Sequence, residues 1–457
     1  MRKITFLFLA FITLSMIACK KDETTTTTPV QTTPDGKVII TGEIKGEMTF
    51  KATNKYLLKG FVYVTEGAKL TIEAGTVIFG DKDSKGTLVV ERGGQIIAEG
   101  TAEKPIVFTS NQAAGSRGYG DWGGLVIAGK APVNQSSPTM EGGIRGSYGG
   151  SDENDNSGII KYVRIEFGGI AFQPNSEING LTLYGVGRGT TIEYVQVSYC
   201  GDDSFEWFGG TVNAKYLVAF RGWDDDFDTD FGFNGKVQYG FALRDKNFAD
   251  ASASNGFESD NFNPGTPENG PKTAPVFANI TVFASDTSST IPTTGLGSGT
   301  YQNAMHLRRN TSKSVFNSVF VGYPNGLRLD GSPTWANAQS DALQVRGVVI
   351  AGTVTANRTI AAGSTTPAFT TTDVTNWYNT AAYGNSVANT ADLKLGAISS
   401  LNTPNTLPIA GSPLLSGAVW TGKGADAYFE KVNFKGAFGT TNWTATWTNF
   451  NPQNTTY

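Results

Sequence analysis

The sequence predicts an all-β fold, a right-handed parallel β-helix in which short strands stack coil upon coil, with a C-terminal cap. The first observation is a repeat: the tyrosine, phenylalanine and acidic residue at positions 194, 205 and 206 return 22 positions later, at 216, 227 and 228. The phenylalanine and the acid return again as Phe257-Glu258. The second is composition, since the chain has 56 glycines and short apolar runs rich in β-branched and aromatic residues. Periods of about 20–50 residues are typical of solenoids, so we expect one long domain.

Residues 1–19 are predicted to be an export signal. Arg2 and Lys3 precede an apolar run at 4–17 that is too short to span a bilayer. Ala18 directly before Cys19 resembles the lipobox of bacterial lipoproteins, which implies cleavage before Cys19 and lipidation of its thiol. The alternative is an ordinary secretory signal in which the cysteine is incidental.

Residues 20–36 are predicted to be a flexible tether. They are polar, contain Pro29 and Pro34, and show no periodicity. The charged run 20–23 resembles the export tag that sends lipoproteins of Bacteroidota to the outer leaflet of the outer membrane. We therefore expect a lipid-anchored protein on the cell surface, with the tether holding the folded body away from the membrane.

Residues 37–425 are predicted to form the β-helix. The segment 61–67 is echoed at 87–93, and a strand at 76–79 returns at 105–108, with glycines at the turns. Three short strands per coil fit a parallel β-helix. A sandwich of antiparallel hairpins is the competing fold, but it would not return the same residues in phase.

The end of the chain is predicted to cap the solenoid. The last coil of a solenoid exposes an apolar cross-section that would pair with another molecule unless it were covered. Residues 426–457 contain Trp443 and Trp447 and are the expected cover. Between 332 and 408 repeats are hard to see, and there we expect irregular coils or a long excursion.

Several long phrases give the sequence a family resemblance. The stretches 64–78, 121–134 and 177–197 read VTEGAKLTIEAGTVI, DWGGLVIAGKAPVN and EINGLTLYGVGRGTTIEYVQV. In such phrases, over residues 38–330, the chain resembles a family of right-handed β-helical bacterial surface lipoproteins that is common in Bacteroidota and is distantly like an outer-membrane lipoprotein of Leptospira. The resemblance implies a pectin-lyase-like solenoid at the cell surface. It implies no activity and transfers no catalytic residues.

Composition and motifs exclude some functions. A formal net charge of −4, without a stripe of lysine and arginine, gives no attractive surface for nucleic acid. The chain shows no zinc-ligand spacing and no glycine-rich phosphate loop after a strand. Cys200 has no histidine nearby in sequence, so we expect a buried, unreactive thiol.

Charged residues are predicted to line up on the outward face of the repeated strands. The segments 305–308 and 327–330 again lie 22 positions apart and keep the alternation of apolar and polar residues. Stacked in register, one line contains Glu206, Asp228, Glu258, His306 and Arg328, and the next contains Phe208, Asp230, Asp260, Arg308 and Asp330. Carboxylates about 4.8 Å apart, the spacing of stacked strands, repel by roughly 1 kcal/mol in water. A run of three acids therefore needs a cation, basic neighbours or raised pKa values.

Three interpretations of these charged residues stay open. In the first, they form a solvated ladder of turn and surface residues. In the second, they bind calcium, because clustered carboxylates suit a hard cation, with the donors Asp202, Asp203, Asp225, Asp228 and Asp230. In the third, they cleave a polysaccharide, as a lyase or a glycoside hydrolase, by acid/base chemistry at Asp228, Glu258, His306 and Arg308.

We expect binding rather than catalysis. The predicted ligand is an extracellular glycan or a partner protein in the outer membrane, held on the charged face, with Ca²⁺ as the one expected cofactor. The predicted contact residues are Glu206, Trp207, Trp223, Asp230, Asp260 and Arg328. The alternatives are a polysaccharide-cleaving enzyme and a structural component of a cell-surface layer.

Overall fold

The structure is a computed structural model that describes Met1 and residues 31–173, 176–284, 299–353, 358–396 and 401–457. The predicted signal peptide from residue 2 onward, Cys19 and most of the tether lie outside the described residues. Among the helices in the described ranges, none combines the length and the hydropathy needed to cross a membrane. The elements described all belong to the unit Thr32–Tyr457.

Short strands make up most of this unit. The strands are β1 (Val38–Ile44), β2 (Glu47–Phe50), β3 (Lys55–Val64), β4 (Lys69–Ile72), β5 (Val77–Gly80), β6 (Thr87–Val90), β7 (Gln95–Glu99), β8 (Ile106–Ser110), β9 (Gly124–Ala128), β10 (Gly158–Glu166), β11 (Ile170–Gln173), β12 (Ser176–Ile178), β13 (Leu181–Tyr184), β14 (Thr191–Ser198), β15 (Phe205–Phe208), β16 (Asn213–Phe220), β17 (Phe227–Asp230), β18 (Lys236–Leu243), β19 (Phe257–Ser259), β20 (Val276–Phe283), β21 (Asn303–Leu307), β22 (Ser314–Phe316), β23 (Val319–Val321), β24 (Asn325–Asp330), β25 (Val345–Arg346), β26 (Val349–Ala351), β27 (Thr359–Ala362) and β28 (Ser386–Ala388). The helices are α1 (Ser332–Gln339) and α2 (Thr371–Tyr378), and short 3-10 helices lie at Ala381–Tyr383, Thr390–Leu393, Pro413–Leu415, Gly422–Ala425 and Pro452–Asn454.

The strands form three stacks of parallel pairs, joined through long bent strands into one continuous sheet. The front stack pairs β6, β9, β13, β15, β17, β19, β21, β24 and β27 in that order. The second stack runs from β2 through β4, β7 and the first halves of β10, β14, β16, β18 and β20 to β22 and β25. The third stack runs from β5 through β8 and the second halves of the same five strands to β23, β26 and β28. The prediction of an all-β parallel β-helix is confirmed.

Apolar side chains of the front stack point into the solenoid and pack coil on coil. Phe205, Phe227 and Phe257 occupy paired positions, and the ring centroids of successive residues lie 5.6 Å apart. All three side chains are fully buried. Because side chains alternate along a strand, the next residue of each strand faces outward.

The outward face of the front stack is covered at its N-terminal end. The antiparallel hairpin of β11 and β12 and the loop 129–157 pack over it. Together with the strands beneath, they form a second apolar cluster that includes Tyr63, Val126, Met140, Ile144, Tyr184 and Phe208. The charged face therefore begins where this cover ends, at β15.

The second and third stacks meet at a bend in each long strand. In β10, β14, β16 and β18 the residue at the bend is Tyr162, Tyr194, Tyr216 or Tyr239, with φ of 49°, 54°, 61° and 65°. This left-handed backbone costs an L-residue with a Cβ roughly 1–2 kcal/mol. The rings stack at centroid distances of 4.4, 4.3 and 4.9 Å, which offsets that cost. We call these four residues the tyrosine stack.

The C-terminal segment, residues 426–457, lies along this bend and not over the last coil, so the predicted position of the cap is wrong. Trp447 packs edge-on against Tyr162 and Tyr194, and Trp443 packs against Tyr216. The physical reason is that the tyrosine stack forms an apolar stripe on the outside of four coils, which the two tryptophans cover. Helix α2 instead packs against β27, the last strand of the front stack.

Amide side chains fix the backbone of the C-terminal segment on the bend. Gln196 accepts from the backbone N–H of Asn449 at 2.8 Å and donates to its carbonyl oxygen at 2.9 Å. Gln238 makes the same pair of bonds with Glu430, both at 2.9 Å. The two glutamines bind backbone groups, which every residue has. The sequence of the C-terminal segment therefore does not reveal where it binds.

Candidate cation and ligand site

The charged residues stack in the predicted register on the front stack. Glu206 pairs with Asp228, Asp228 with Glu258, Glu258 with His306, and His306 with Arg328. The register therefore continues across the long insertion between β19 and β21, as the sequence phase predicts. One line of outward side chains changes from acidic to basic along five successive coils.

The N-terminal part of this face is a dense group of carboxylates. We call Asp202, Asp203, Glu206, Asp224, Asp225 and Asp228 the acidic half. Three sets of side chains each bring carboxylate oxygens within 4.8 Å of one another: Asp202, Asp203 and Asp224; Asp203, Glu206 and Asp228; and Asp225, Asp228 and Glu258. The side chains are held close to protein, since Asp203, Glu206 and Asp225 are only 8, 8 and 4% exposed.

A ladder of asparagine and aspartate side chains positions two of these carboxylates. Asn179, Asp203, Asp225 and Asn255 each stand two residues before a front strand, and Asn303 is the first residue of β21. The side-chain oxygen of each of the first four accepts from the backbone N–H of the member in the next coil. The distances are 3.2 Å from Asn179 to Asp203, 2.7 Å from Asp203 to Asp225 and 3.2 Å from Asn255 to Asn303, and Asp225 likewise accepts from Asn255. Asparagine suffices for this bond in other coils. The charge at 203 and 225 is therefore not needed for the ladder.

Burial and mutual repulsion raise the pKa values of the acidic half. Burial, followed by the neighbouring carboxylates, raises the pKa values of Asp203 and Asp225 well above their ordinary range. The same causes raise the pKa of Asp224 to about 8, with Asp250 as the main neighbour, and that of Asp228 to about 7, with Glu258 as the main neighbour. Oδ1 of Asp224 is buried without a hydrogen-bond partner. Such groups are poised to take up protons or a metal cation.

The C-terminal part of the face balances its own charges. We call Glu258, Asp260, His306, Arg308, Arg328 and Asp330 the ion-paired half. Glu258 contacts Arg308 and lies 3.5 Å from His306, whose other ring nitrogen lies 3.2 Å from Asp330. Arg308 also bonds to Asp260 at 2.7 Å, and Arg328 bonds to Asp330 at 2.9 Å.

The pKa values of Glu258 and His306 favour their charged forms. Burial alone would raise the pKa of Glu258, but the bond to His306 and the charge of Arg308 lower it. Burial alone would lower the pKa of His306, but Asp330 and Glu258 raise it. His306 is therefore biased toward the cation, which is the wrong form for a general base.

A buried lysine lies inside the solenoid under the acidic half. Lys313 is fully buried, and its Nζ donates to the carbonyl oxygen of Glu258 at 3.2 Å. The same atom lies 4.3 Å from the ring centroid of Phe257 and 4.5 Å from that of Phe277. Burial lowers the pKa of Lys313 to about 7, against the pull of Asp228 and Asp225. It gives the acidic half a weak internal counter-charge.

The structure brings together most of the predicted residues. The catalytic candidates Asp228, Glu258, His306 and Arg308 are neighbours, as the contacts above describe. Among the predicted metal ligands, Asp230 belongs to none of the three carboxylate sets. Its Oδ1 accepts from the N–H of Phe231 at 2.6 Å. Asp224, absent from the predicted ligands, lies in their midst.

The prediction that Trp207 borders the ligand is wrong. Its side chain is fully buried and packs against Phe205 and Phe233 in the core. The physical reason is strand alternation, because Trp207 stands two residues after the inward-facing Phe205. Trp223 is half-buried in the turn before Asp224, packed against Tyr119 at a centroid distance of 5.1 Å, and stays beside the acidic half.

Two useful residues were missed by sequence reasoning. Arg309 bonds to Asp260 at 2.6 Å and adds a third arginine to the ion-paired half. Its backbone lies in the left-handed region at φ 49°, which turns its side chain from the strand direction. The position of Lys313 could have been predicted from the sequence, because a lysine directly before an apolar strand such as β22 lies close to the core.

In a chelating buffer, the protein is expected to lose thermal stability as the pH rises from about 5 to about 8. Asp224 and Asp228 have folded pKa values of about 8 and about 7, against roughly 3.9 for an unfolded aspartate. The native state therefore binds more protons than the unfolded state in this window. Stability is full below the unfolded pKa and is lost as the pH rises through the folded pKa values.

Melting temperatures measured at constant ionic strength across this window test the expectation. Glu258, whose pKa is lowered, titrates below the window. Lys313, whose pKa is lowered to about 7, opposes the loss only above that pH and is outnumbered by the carboxylates with raised pKa values. A melting temperature that rises steadily with pH would show that the acidic half is not under the repulsion described.

Comparison with known proteins places the chain in a family. The search of curated proteins returned no match. A family model described as a pectate-lyase like beta helix domain matches residues 42–396. The match covers more than half of the chain and includes both halves of the charged face. The chain therefore belongs to the family of pectate-lyase-like β-helix domains.

Proposed function

We propose that the protein binds an acidic extracellular glycan on its charged face, through calcium held by the acidic half. The observation that supports this most directly is the division of the face. One half has crowded carboxylates whose pKa values stay raised although Lys313, Arg244 and Arg308 lie near them. The other half is neutralised by its own arginines and histidine. A bound cation supplies the charge that the acidic half lacks.

The donor set fits calcium. The carboxylate sets offer only oxygen, and Ca²⁺ takes about six to eight oxygen ligands at roughly 2.4 Å, so that two ligand oxygens lie at most about 4.8 Å apart. The oxygens of each set lie within 4.8 Å of one another. Asp202, Asp203 and Asp224 would hold one ion, and Asp225, Asp228 and Glu258 would hold another. Bound calcium would supply positive charge for the carboxylates of a glycan.

The ion-paired half offers donors to the same ligand. The side chains of Arg308, Arg309 and Arg328 are 26, 30 and 30% exposed, so part of each guanidinium group faces solvent. A guanidinium that bonds one carboxylate still has N–H groups for a second acceptor. Trp223 borders the acidic half and adds an apolar edge. The face thus combines a place for cations with exposed donors beside it.

Cleavage of the glycan is the second candidate, and the pKa of Asp228 favours it. A value of about 7 suits a general acid or base at neutral pH. Asp228, like Asp203, belongs to two of the three sets. Against this candidate, Glu258, His306 and Arg308 are held as ions by one another.

The proposed location rests on the sequence of the N-terminal segment. We propose that Cys19 carries the lipid, that residues 20–36 form the tether, and that the β-helix stands on the outer face of the outer membrane of a bacterium of the Bacteroidota type. The family match to β-helix domains is compatible with a surface protein. Radiolabelled palmitate incorporation, compared between the wild-type precursor and Cys19→Ser, tests the anchor.

Binding of polygalacturonate and of alginate, measured by biolayer interferometry with calcium or with chelator, tests the function. We expect binding in calcium, and at least about tenfold weaker binding in chelator or in the Asp203→Asn/Asp228→Asn variant. Asp83→Asn, an exposed acid in an early turn, is the matched control and binds like wild type. Binding that is equal with and without calcium would contradict the proposal. Unsaturated or reducing ends that appear with wild type and vanish with Asp228→Asn would establish the second candidate instead.

A further inference from the structure

A cavity lies between the tyrosine stack and the C-terminal segment, away from the charged face. Its volume is about 470 Å³, within the range of roughly 300–1,000 Å³ that is common for small-molecule sites. It is open to solvent on one side. The lining includes Tyr216, Tyr239, Glu430, Phe434, Thr441 and Trp443.

The walls of this cavity are fixed by hydrogen bonds. The C-terminal segment passes the bend twice. On the first pass, the side chain of Gln238 binds the backbone of Glu430, and the side chain of Asn279 donates to the carbonyl oxygen of Phe434 at 3.0 Å. On the second pass the indole N–H of Trp443 donates to the carbonyl oxygen of Ala437 at 2.8 Å. A preformed cavity loses little entropy when a ligand enters.

Four aromatic rings line the cavity, those of Tyr216, Tyr239, Phe434 and Trp443. Tyr216 and Tyr239 stack face to face at a centroid distance of 4.9 Å, and Trp443 stacks on Phe438 at 5.4 Å. Aromatic carbon of this kind packs against the apolar C–H surfaces of a sugar ring.

The polar groups of the cavity carry no net charge. Glu430 accepts from the hydroxyl of Tyr239 at 3.0 Å and forms an ion pair with Lys215 at 2.7 Å. Its side chain is still 51% exposed, so it has room for a further donor. The hydroxyl of Thr441 lies on the exposed rim. A neutral ligand with several hydroxyl groups matches this set.

We propose that the cavity binds a short neutral saccharide, independently of calcium. The aromatic and aliphatic lining takes the C–H surfaces of a sugar ring, and Glu430, Tyr216 and Thr441 bond to its hydroxyl groups. This site goes beyond the proposed function, because it lies on another face, uses no carboxylate set and offers no excess positive charge to a polyanion.

Calorimetric titration with cellobiose, maltose and diacetylchitobiose, all in chelator, tests the site. We expect at least one of these disaccharides to bind in the millimolar range or tighter. Thr441→Trp fills the cavity from the rim and is expected to abolish binding, while Glu430→Gln, which keeps the shape, is expected to weaken it by about tenfold. Thr372→Trp, at an exposed position of α2, is the matched control and binds like wild type.

Three results would overturn the inference: no heat with any of the three sugars, unchanged binding by Thr441→Trp, or binding that requires calcium. The Asp203→Asn/Asp228→Asn variant separates this site from the charged face. It is expected to keep the disaccharide while losing the acidic glycan, so failure of one proposal does not imply failure of the other.

Discussion

Replacing Arg244 with methionine is expected to lower the free energy of unfolding by about 3–5 kcal/mol. Arg244 and Asp226 are both completely buried, with their charged atoms 3.1 Å apart. The hydroxyl of Tyr323 lies 3.2 Å from the same carboxylate. Burial raises the pKa of Asp226 to about 6 even with Arg244 beside it. Without the guanidinium, the native state has to bury an uncompensated carboxylate or bind a proton.

Arg244 also ties together the turns that carry the acidic half. Its guanidinium donates to the carbonyl oxygens of Trp223 at 3.1 Å and Asn255 at 3.2 Å, and to that of Asp224. Methionine fills similar space but offers no donor, so these carbonyl groups also lose their partner. We therefore expect weaker cation binding in Arg244→Met as well as lower stability.

Chemical unfolding and thermal melting measure the loss of stability in Arg244→Met, and two further variants serve as controls. Lys69→Met removes an exposed ion pair with Glu47, whose two side chains are 40 and 79% exposed, and is expected to cost less than about 1 kcal/mol. The double variant Arg244→Met/Asp226→Asn removes both charges and is expected to recover part of the loss. If Arg244→Met lost as little unfolding free energy as Lys69→Met, the buried ion pair would not be a main source of stability between these coils.

The fold was predictable because two periods reinforce each other. Alternation within a strand sends Phe205 inward and Glu206 outward, and the recurrence at Phe227 and Asp228 repeats that choice in the next coil. A register that differed by one residue would expose the whole phenylalanine stack, so the sequence allows one solution. The same rule places Trp207 in the core, and applying it one step further would have corrected the predicted contact residues.

Contacts between distant segments were not predictable in this way. Gln196 and Gln238 bind backbone groups of Asn449 and Glu430, and no feature of the partner side chains reveals such a bond. The interior ion pair of Arg244 with Asp226 looks like two solvated turn residues in the sequence. The positions of the acids were therefore predictable, whereas the groups that hold the C-terminal segment and the turns were not.

A second repeat in the sequence marks the asparagine and aspartate ladder and could have predicted it. Asn179, Asp203, Asp225 and Asn255 each precede a front strand by two residues, and Asn303 stands two residues before Met305, the partner of Phe257. This repeat is as regular as that of the phenylalanines. Side chains of this kind commonly bond to a nearby backbone N–H. The presence of aspartate at two positions where asparagine serves elsewhere is the clearest difference between the acidic half and an ordinary ladder.

Asp203→Asn is expected to change the melting temperature in opposite directions with and without calcium. Asparagine keeps the oxygen that accepts from the N–H of Asp225, so the ladder is preserved. In chelator, the variant removes a carboxyl group whose pKa is raised by burial, followed by Asp225, Asp202 and Asp224, so the native state no longer has to bear a repelled charge or take up a proton there. We expect a gain of about 1 kcal/mol from the relief of one such repulsion.

In calcium the order reverses. A cation that binds only the native state stabilises it by about 2.7 kcal/mol when its concentration is about a hundred times its dissociation constant. Asp203 belongs to two of the three carboxylate sets, so asparagine removes a ligand oxygen from both and most of this gain is lost. Wild type should then melt above Asp203→Asn in calcium and below it in chelator, while the Asp83→Asn control shows no crossing. A variant that melts below wild type in both buffers would mean that the carboxylate at 203 serves the fold alone, and that the acidic half holds no cation.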